Sequence, residues 1–190
     1  MNILALDTSA EKIVLSLFAN DKKDYYIGQG AAKKHNSELL IQIDSFLKRN
    51  GLTVEELDVI GVVVGPGSFT GIRIGVATAN ALAKALSKKI IEVTSLELPV
   101  EDAGRVLVAL DCKHDNYYCG LFENDTVEYQ PLTRSEIDSF DGKVLFLNGA
   151  YEKELLEKVL TKTDREEFSS QAKPFYMKRS SAERETGILC

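Results

Sequence analysis

An α/β fold is predicted for this chain of 190 residues, and three observations carry the prediction. Val59 to Val64 form a short, continuous, valine-rich run that passes through Gly65-Pro66-Gly67 straight into a long segment of small residues. Such a run reads as a buried strand feeding a loop and then a helix. Ahead of it stand three apolar segments separated by short polar turns, followed by an amphipathic segment. Behind it, a hairpin pattern, a further strand and a helix of good formers fill the second half.

In order along the chain, strands are predicted over residues 2–7, 13–19 and 24–30, with Asn20-Asp21 as the second hairpin turn. A helix over 36–49 gathers Leu39, Leu40, Ile43, Phe46 and Leu47 into one stripe, about 100° wide. Gly51 stands where a left-handed cap would end it. Gly65 and Gly67 free the backbone for tight turns, and Pro66 stiffens the link between them. Ser68 or Thr70 can cap the following helix over 70–86. A strand over 90–93 completes the first half. Residues 105–111 and 117–122 pair as a hairpin. Asp115-Asn116 as its two-residue turn would set Cys112 opposite Cys119 and Lys113 opposite Tyr118. A strand over 143–147 and a helix over 151–160 follow. The division expected is a first lobe, 1–100, and a smaller second lobe, 104–190, frayed from about Ser180.

Composition narrows the function classes. The 44% hydrophobic and 27% charged content is that of a soluble globular protein. No apolar run is long enough to span a membrane, and the first residues read as a strand rather than a leader, so the expected location is the cytoplasm. Three cysteines make no disulfide framework. A net charge of −6 weighs against an independent grip on nucleic acid, which needs a basic face to displace counterions.

The run Gly65-Pro66-Gly67-Ser68-Phe69-Thr70-Gly71-Ile72-Arg73-Ile74-Gly75, with Leu4-Ala5-Leu6-Asp7-Thr8-Ser9, closely resembles the TsaB family. Further matches are His35-Asn36-Ser37, Thr94-Ser95-Leu96-Glu97, Ala109-Leu110-Asp111, and Pro174-Phe175-Tyr176 with Arg179. They come in the family's order from residue 2 to about 183. Where members usually carry Ala-Arg after the Asp, this chain has Cys112-Lys113. The resemblance implies an actin/hexokinase-like (ASKHA) fold of two ribonuclease H-like lobes, the second reduced. It also implies a non-catalytic partner of the tRNA threonylcarbamoyl transferase TsaD, helping to recruit the ATPase TsaE, in the pathway to threonylcarbamoyladenosine. The first lobe would pair with TsaD, or with a second copy as a homodimer when TsaD is missing. Transfer RNA would be met only through the complex, and ATP with magnesium at partner interfaces or weakly in the cleft.

The same resemblance marks an absence. TsaD-like enzymes carry His-x-x-x-His after the strand equivalent to 90–93, whereas here the stretch is Ser95-Leu96-Glu97-Leu98-Pro99. One carboxylate does not replace two imidazoles as transition-metal ligands. No catalytic residue and no metal site are therefore expected. A vestigial nucleotide contact would use Asp7, Thr8, Ser9, Gly65, Gly67 and Asp111, with Asp7 and Asp111 opposed across a cleft; these residues also serve the alternative of an actin-like kinase or hydrolase. The plainer reading is that Asp and Ser close turns. His35 precedes a helix start, where its charge would meet the wrong end of the dipole. Cys112, His114 and Cys119 leave a tetrahedral site one ligand short. Ser68 lacks the Gly-x-Ser-x-Gly elbow of a nucleophile and reads as a cap.

The helix over 70–86 is unusual in itself. Gly71, Gly75, Ala79 and Ala83 recur every four residues as a smooth stripe open to close approach of another backbone, flanked by Ile72, Val76, Leu82 and Leu86 facing the sheet. Arg73, Asn80 and Lys84 form a polar edge. Thr70, Ile74, Ala77, Thr78, Ala81 and Ala85 are small and not needed by the sheet. With Arg73 and an outward Ile41 they form the expected partner interface; cover by the chain's own first helix is the alternative.

Overall fold

The computed structural model describes residues 1–28, 35–101, 104–113 and 115–177. The chain opens with three antiparallel strands, β1 (Ile3–Asp7), β2 (Val14–Ala19) and β3 (Lys22–Ile27). Helix α1 (His35–Arg49) leads to β4 (Val59–Gly65), α2 (Phe69–Leu86) and β5 (Lys89–Thr94). The first sheet runs in the order β3-β2-β1-β4-β5, with β1, β4 and β5 parallel. The second comprises β6 (Val106–Asp111), β7 (Asn116–Glu123), β8 (Thr126–Thr133) and β9 (Lys143–Phe146), in the order β8-β7-β6-β9. It repeats the first: an antiparallel meander, then a parallel partner for its opening strand. Among the described residues it has four strands against five in the first. The chain is thus an α/β fold with two mixed sheets of like topology, in keeping with the α/β class expected.

Local chemistry explains the elements. Asn20-Asp21 and Asn124-Asp125 close the second hairpin of each lobe, all four with positive φ (52°, 58°, 51° and 60°). This is the primed turn whose twist matches the strands it joins. Helix α1 ends in a Schellman motif, with Leu52 N–H donating to Leu47 O and Gly51 N–H to Lys48 O, both at 3.0 Å. Gly51 adopts the left-handed φ of 70° that this cap requires. Leu39, Ile43, Phe46 and Leu47 are buried as the stripe predicts, but Leu40 is 58% exposed. It lies at the margin of the stripe, beyond the reach of the sheet.

Four further differences arise from tertiary packing. Strand β8 and the short α3 (Arg134–Asp138) stand where no element is predicted. Pro131 obscures the strand, yet β8 is a sheet edge, where a missing N–H is tolerated. The β6–β7 turn is longer than expected: Asp111 Oδ1 accepts from Lys113 N–H at 2.7 Å, and β6 ends at Asp111. Cys119 consequently pairs with Ala109 and Tyr118 with Leu110, so Cys112 is not opposite Cys119. Helix α4 (Glu152–Asp164), grouped by sequence with the second lobe, packs on the first sheet. Leu155 and Val159 join Ile3, Ala5, Val14, Val63 and Ile91 in one core. Lastly, residues 168–176 return across the first lobe. Ser169 bridges Ile90, Ala172 exchanges hydrogen bonds with the Asn80 amide (2.8 and 2.9 Å), and Phe175 N–H donates to Val64 O at 2.8 Å.

Candidate functional site

Two surfaces emerge, a cleft between the lobes and the outer face of α2. The cleft encloses about 350 Å³ between Ser9, Pro66, Gly67 and Ser68 on one side and Leu110, Asp111, Lys113 and Tyr118 on the other. Asp7 and Asp111 end the first strand of their respective sheets, and each accepts from the N–H two residues on, at Ser9 and Lys113 (2.7 Å each). They are structural equivalents. Asp111 is exposed and lines the cleft, while Asp7 is buried beneath its own turn.

The glycine-rich loop is built to fit that turn. Ser68 N–H donates to Ser9 O at 2.6 Å, and Thr8 Oγ1 donates to Gly71 O at 2.7 Å. A Cβ at Gly71 would strike the Thr8 carbonyl, one at Gly75 the Thr8 hydroxyl, and one at Gly67 the Ser9 backbone. The stripe of small residues admits another backbone, as read from its spacing, but that backbone belongs to the same chain. Gly65, at φ 115°, faces Phe175 O and Ile72 rather than the cleft. Ser68 caps α2 by accepting from Gly71 N–H at 3.2 Å.

Residues 95–99 are tied into the packing by hydrogen bonds, an ion pair and burial. Ser95 Oγ donates to Pro66 O at 2.5 Å, and Leu96 and Leu98 are buried. Glu97 Oε1 accepts from Thr94 N–H at 2.5 Å and pairs with Lys162 at 3.0 Å. Among the described residues, no three His, Cys, Asp or Glu side chains converge as a metal site. His114, Arg179 and the stretch from Ser180 lie outside the described residues, as does the side chain of His35. Burial pushes the Cys119 thiol up to about 11.

On α2, Gly71, Ile72, Gly75, Val76, Ala79 and Ala83 face the core. Leu82 and Leu86 are only half-buried, because the smaller alanines lie closer to the sheet. Thr70, Arg73, Ala77, Ala81 and Ala85 are exposed, and Ile74 and Thr78 half-exposed. Among the described residues, cover within the chain reaches Ile74, which packs against the first core, and leaves Thr70, Ala77, Ala81 and Ala85 exposed; on α1, Ile41 is also exposed at 66%. Two aromatic residues missed in the sequence stand at the start of this face. Phe69 and Tyr176 rings lie 5.0 Å apart, and the Arg73 guanidinium sits 3.8 Å over Phe69. No spacing could reveal a contact between residues about a hundred positions apart. Among the described residues, no helix is long and apolar enough to cross a membrane.

Comparison with known proteins gives the ancestry. The family model described as "TsaD: tRNA N6-adenosine threonylcarbamoyltransferase" matches residues 20–185. The "tRNA threonylcarbamoyladenosine biosynthesis protein TsaB" of Bacillus subtilis is 32% identical over 127 residues, 65% of this chain and 56% of that protein. Its Haemophilus influenzae counterpart is 31% identical over 124 residues, 62% of this chain and 52% of that protein. The chain thus spans little more than half the length of these curated relatives. The solved structure of YeaZ from Pseudomonas aeruginosa superposes with a TM-score of 0.76 at 23% identity, covering 92% of this chain and 99% of that one, and shows the shared fold. The chain belongs to the TsaB/YeaZ group of the TsaD family.

Proposed function

We propose that the chain is a non-catalytic partner subunit in the making of threonylcarbamoyladenosine on tRNA, docking a TsaD-type transferase through α2 and helping to recruit the ATPase TsaE. The observation that carries this reading is the outer face of α2. It offers Thr70, Ala77, Ala81 and Ala85 to solvent, small side chains on which a partner helix can pack closely. The structural roles of Ser95, Leu96, Glu97 and Leu98, at the place of the transferase's metal motif, support a role without chemistry of its own. An actin-like kinase or hydrolase using Asp7 and Asp111 is disfavoured, because Asp7 is buried and its Oδ1 accepts from Ser9 N–H. A nucleotide in the cleft would belong to the complex, near Asp111 and Gly67, at most as a weak contact.

Ala77→Glu and Ala81→Glu place a charge on the exposed face without entering the core. Each is expected to abolish co-purification with the TsaD-type subunit of the same organism while the circular dichroism spectrum stays native. Wild-type yield of the complex from both variants would refute the assignment.

A further inference from the structure

Arg73 is held in an arrangement that α2 alone does not need. Its guanidinium stacks on Phe69 at 3.8 Å, its Nε donates to Tyr176 Oη at 2.9 Å, and the Tyr176 ring stands 5.9 Å away. Phe69 and Tyr176 are themselves 38% and 36% exposed. Among the described residues no carboxylate pairs with Arg73. The Nε contact leaves the two terminal nitrogens as the donors still available, on a head group fixed by an aromatic ring and a hydroxyl. An arginine so oriented has lost much of the side-chain freedom that binding would otherwise remove, and its planar fork matches a carboxylate.

The charge of the helix points the same way. The chain carries a net charge of −6, yet none of the 18 residues of α2 is acidic; its charges are Arg73 and Lys84. Both are exposed on the side left open by the sheet. A two-fold contact of α2 with α2 of a second copy would bring no α2 carboxylate to either cation, and on the neighbouring α1 Asp44 already pairs with Lys48 at 2.8 Å and Glu38 accepts from Gln42 at 3.4 Å. A different chain with an acidic rim would satisfy them.

We propose that Arg73, clamped by Phe69 and Tyr176, is the carboxylate receptor of the α2 face, and that the occupant is a helix of the TsaD-type subunit presenting an aspartate or glutamate in fork geometry. The inference rests on the docking reading above and adds the chemistry that orients the partner. The apolar seam of Ala77 and Ala81 allows approach, and Arg73 at one end fixes register. Tyr176, from the far end of the chain, acts through Arg73 as a positioning residue.

The test titrates the purified TsaD-type subunit of the same organism with the full chain, comparing wild type with Arg73→Met, Arg73→Lys, Tyr176→Phe and Ala77→Glu. Arg73→Met is expected to weaken the complex about thirtyfold, as for loss of one partner of a desolvated charge pair. Arg73→Lys should still weaken it about tenfold, because an ammonium cannot fork. Tyr176→Phe, which removes only the orienting hydroxyl, should cost about threefold. The thermal midpoint of each Arg73 variant should stay near wild type, since the residue is exposed.

Wild-type affinity for Arg73→Met, with binding abolished by Ala77→Glu, overturns the receptor and leaves the docking reading standing. Wild-type affinity for Arg73→Lys overturns the fork geometry. If Ala77→Glu also binds normally, the docking reading fails and the receptor with it. Sedimentation of the chain alone adds a separate check: a homodimer lost on Arg73→Met, with the mixed complex unaffected, would make a second copy the occupant and overturn the proposal.

Discussion

Gly71 shows how a single position can mislead. A glycine in the first turn of a helix after a Gly-Pro-Gly loop invites a phosphate. Here the space left by its missing side chain is filled by the Thr8 carbonyl. Alanine is the better helix former by about 1 kcal/mol, so propensity alone predicts that Gly71→Ala stabilises. The clash with the backbone of a buried turn should dominate, leaving a net loss of about 2–3 kcal/mol, in the range of core overpacking. Urea unfolding decides between the two signs. Cys119 offers a second test at this scale. Burial raises its thiol from 9.0 to about 11, so between those values the unfolded chain loses the proton while the folded chain keeps it. The stabilising contribution of Cys119 is therefore whole below pH 9 and is lost as pH climbs toward 11. The stability advantage of wild type over Cys119→Ala should shrink across that window; a pH-independent difference would show that burial does not govern this thiol.

Among the elements, α2 and the hairpin turns are the most instructive. Ser68 could have been a nucleophile or a cap, and it caps, with Gly71 N–H as donor. Ser68→Ala should lower stability by about 1 kcal/mol and leave complex formation intact at saturating concentration, as calorimetric titration would report. The strands and helices of the first lobe were legible because each obeys one period. β4 is a continuous apolar run, and α1 buries Leu39, Ile43, Phe46 and Leu47 at helical spacing. Strand β8 was not legible, although Asn124-Asp125 before it repeats the Asn-Asp of the first lobe's hairpin and alternation follows. A proline inside such a run weighs against a strand, and only the position of β8 at a sheet edge makes Pro131 tolerable there. The Cys112–Cys119 pairing failed for a similar reason. Turn length depends on which N–H the Asp111 carboxylate captures, and residue identity leaves two turns open.

At the scale of the molecule, the second half of the chain completes the core of the first lobe. Helix α4 covers the face of the first sheet opposite α1 and α2, with Leu155 and Val159 against Ile3, Val63 and Ile91. The segment to Tyr176 closes over β5, α2 and β4. Leu155→Ala should accordingly cost about 2–5 kcal/mol, and the loss should appear in signals from the first sheet. A fragment of residues 1–100 should be unfolded by circular dichroism, because one face of its sheet would stand bare; a cooperative, native-like fragment would contradict this account.

Sequence alone determined the succession of elements in the first lobe, the duplicated α/β architecture reached by resemblance, and the small-residue character of α2, because periodicity and turn chemistry act over a few neighbouring residues. Tertiary structure decided which backbone fills the glycine stripe, where α4 and the final segment pack, and that Phe69, Arg73 and Tyr176 meet. Those outcomes depend on contacts between residues far apart in the chain, and no local pattern encodes the distance that folding brings to zero.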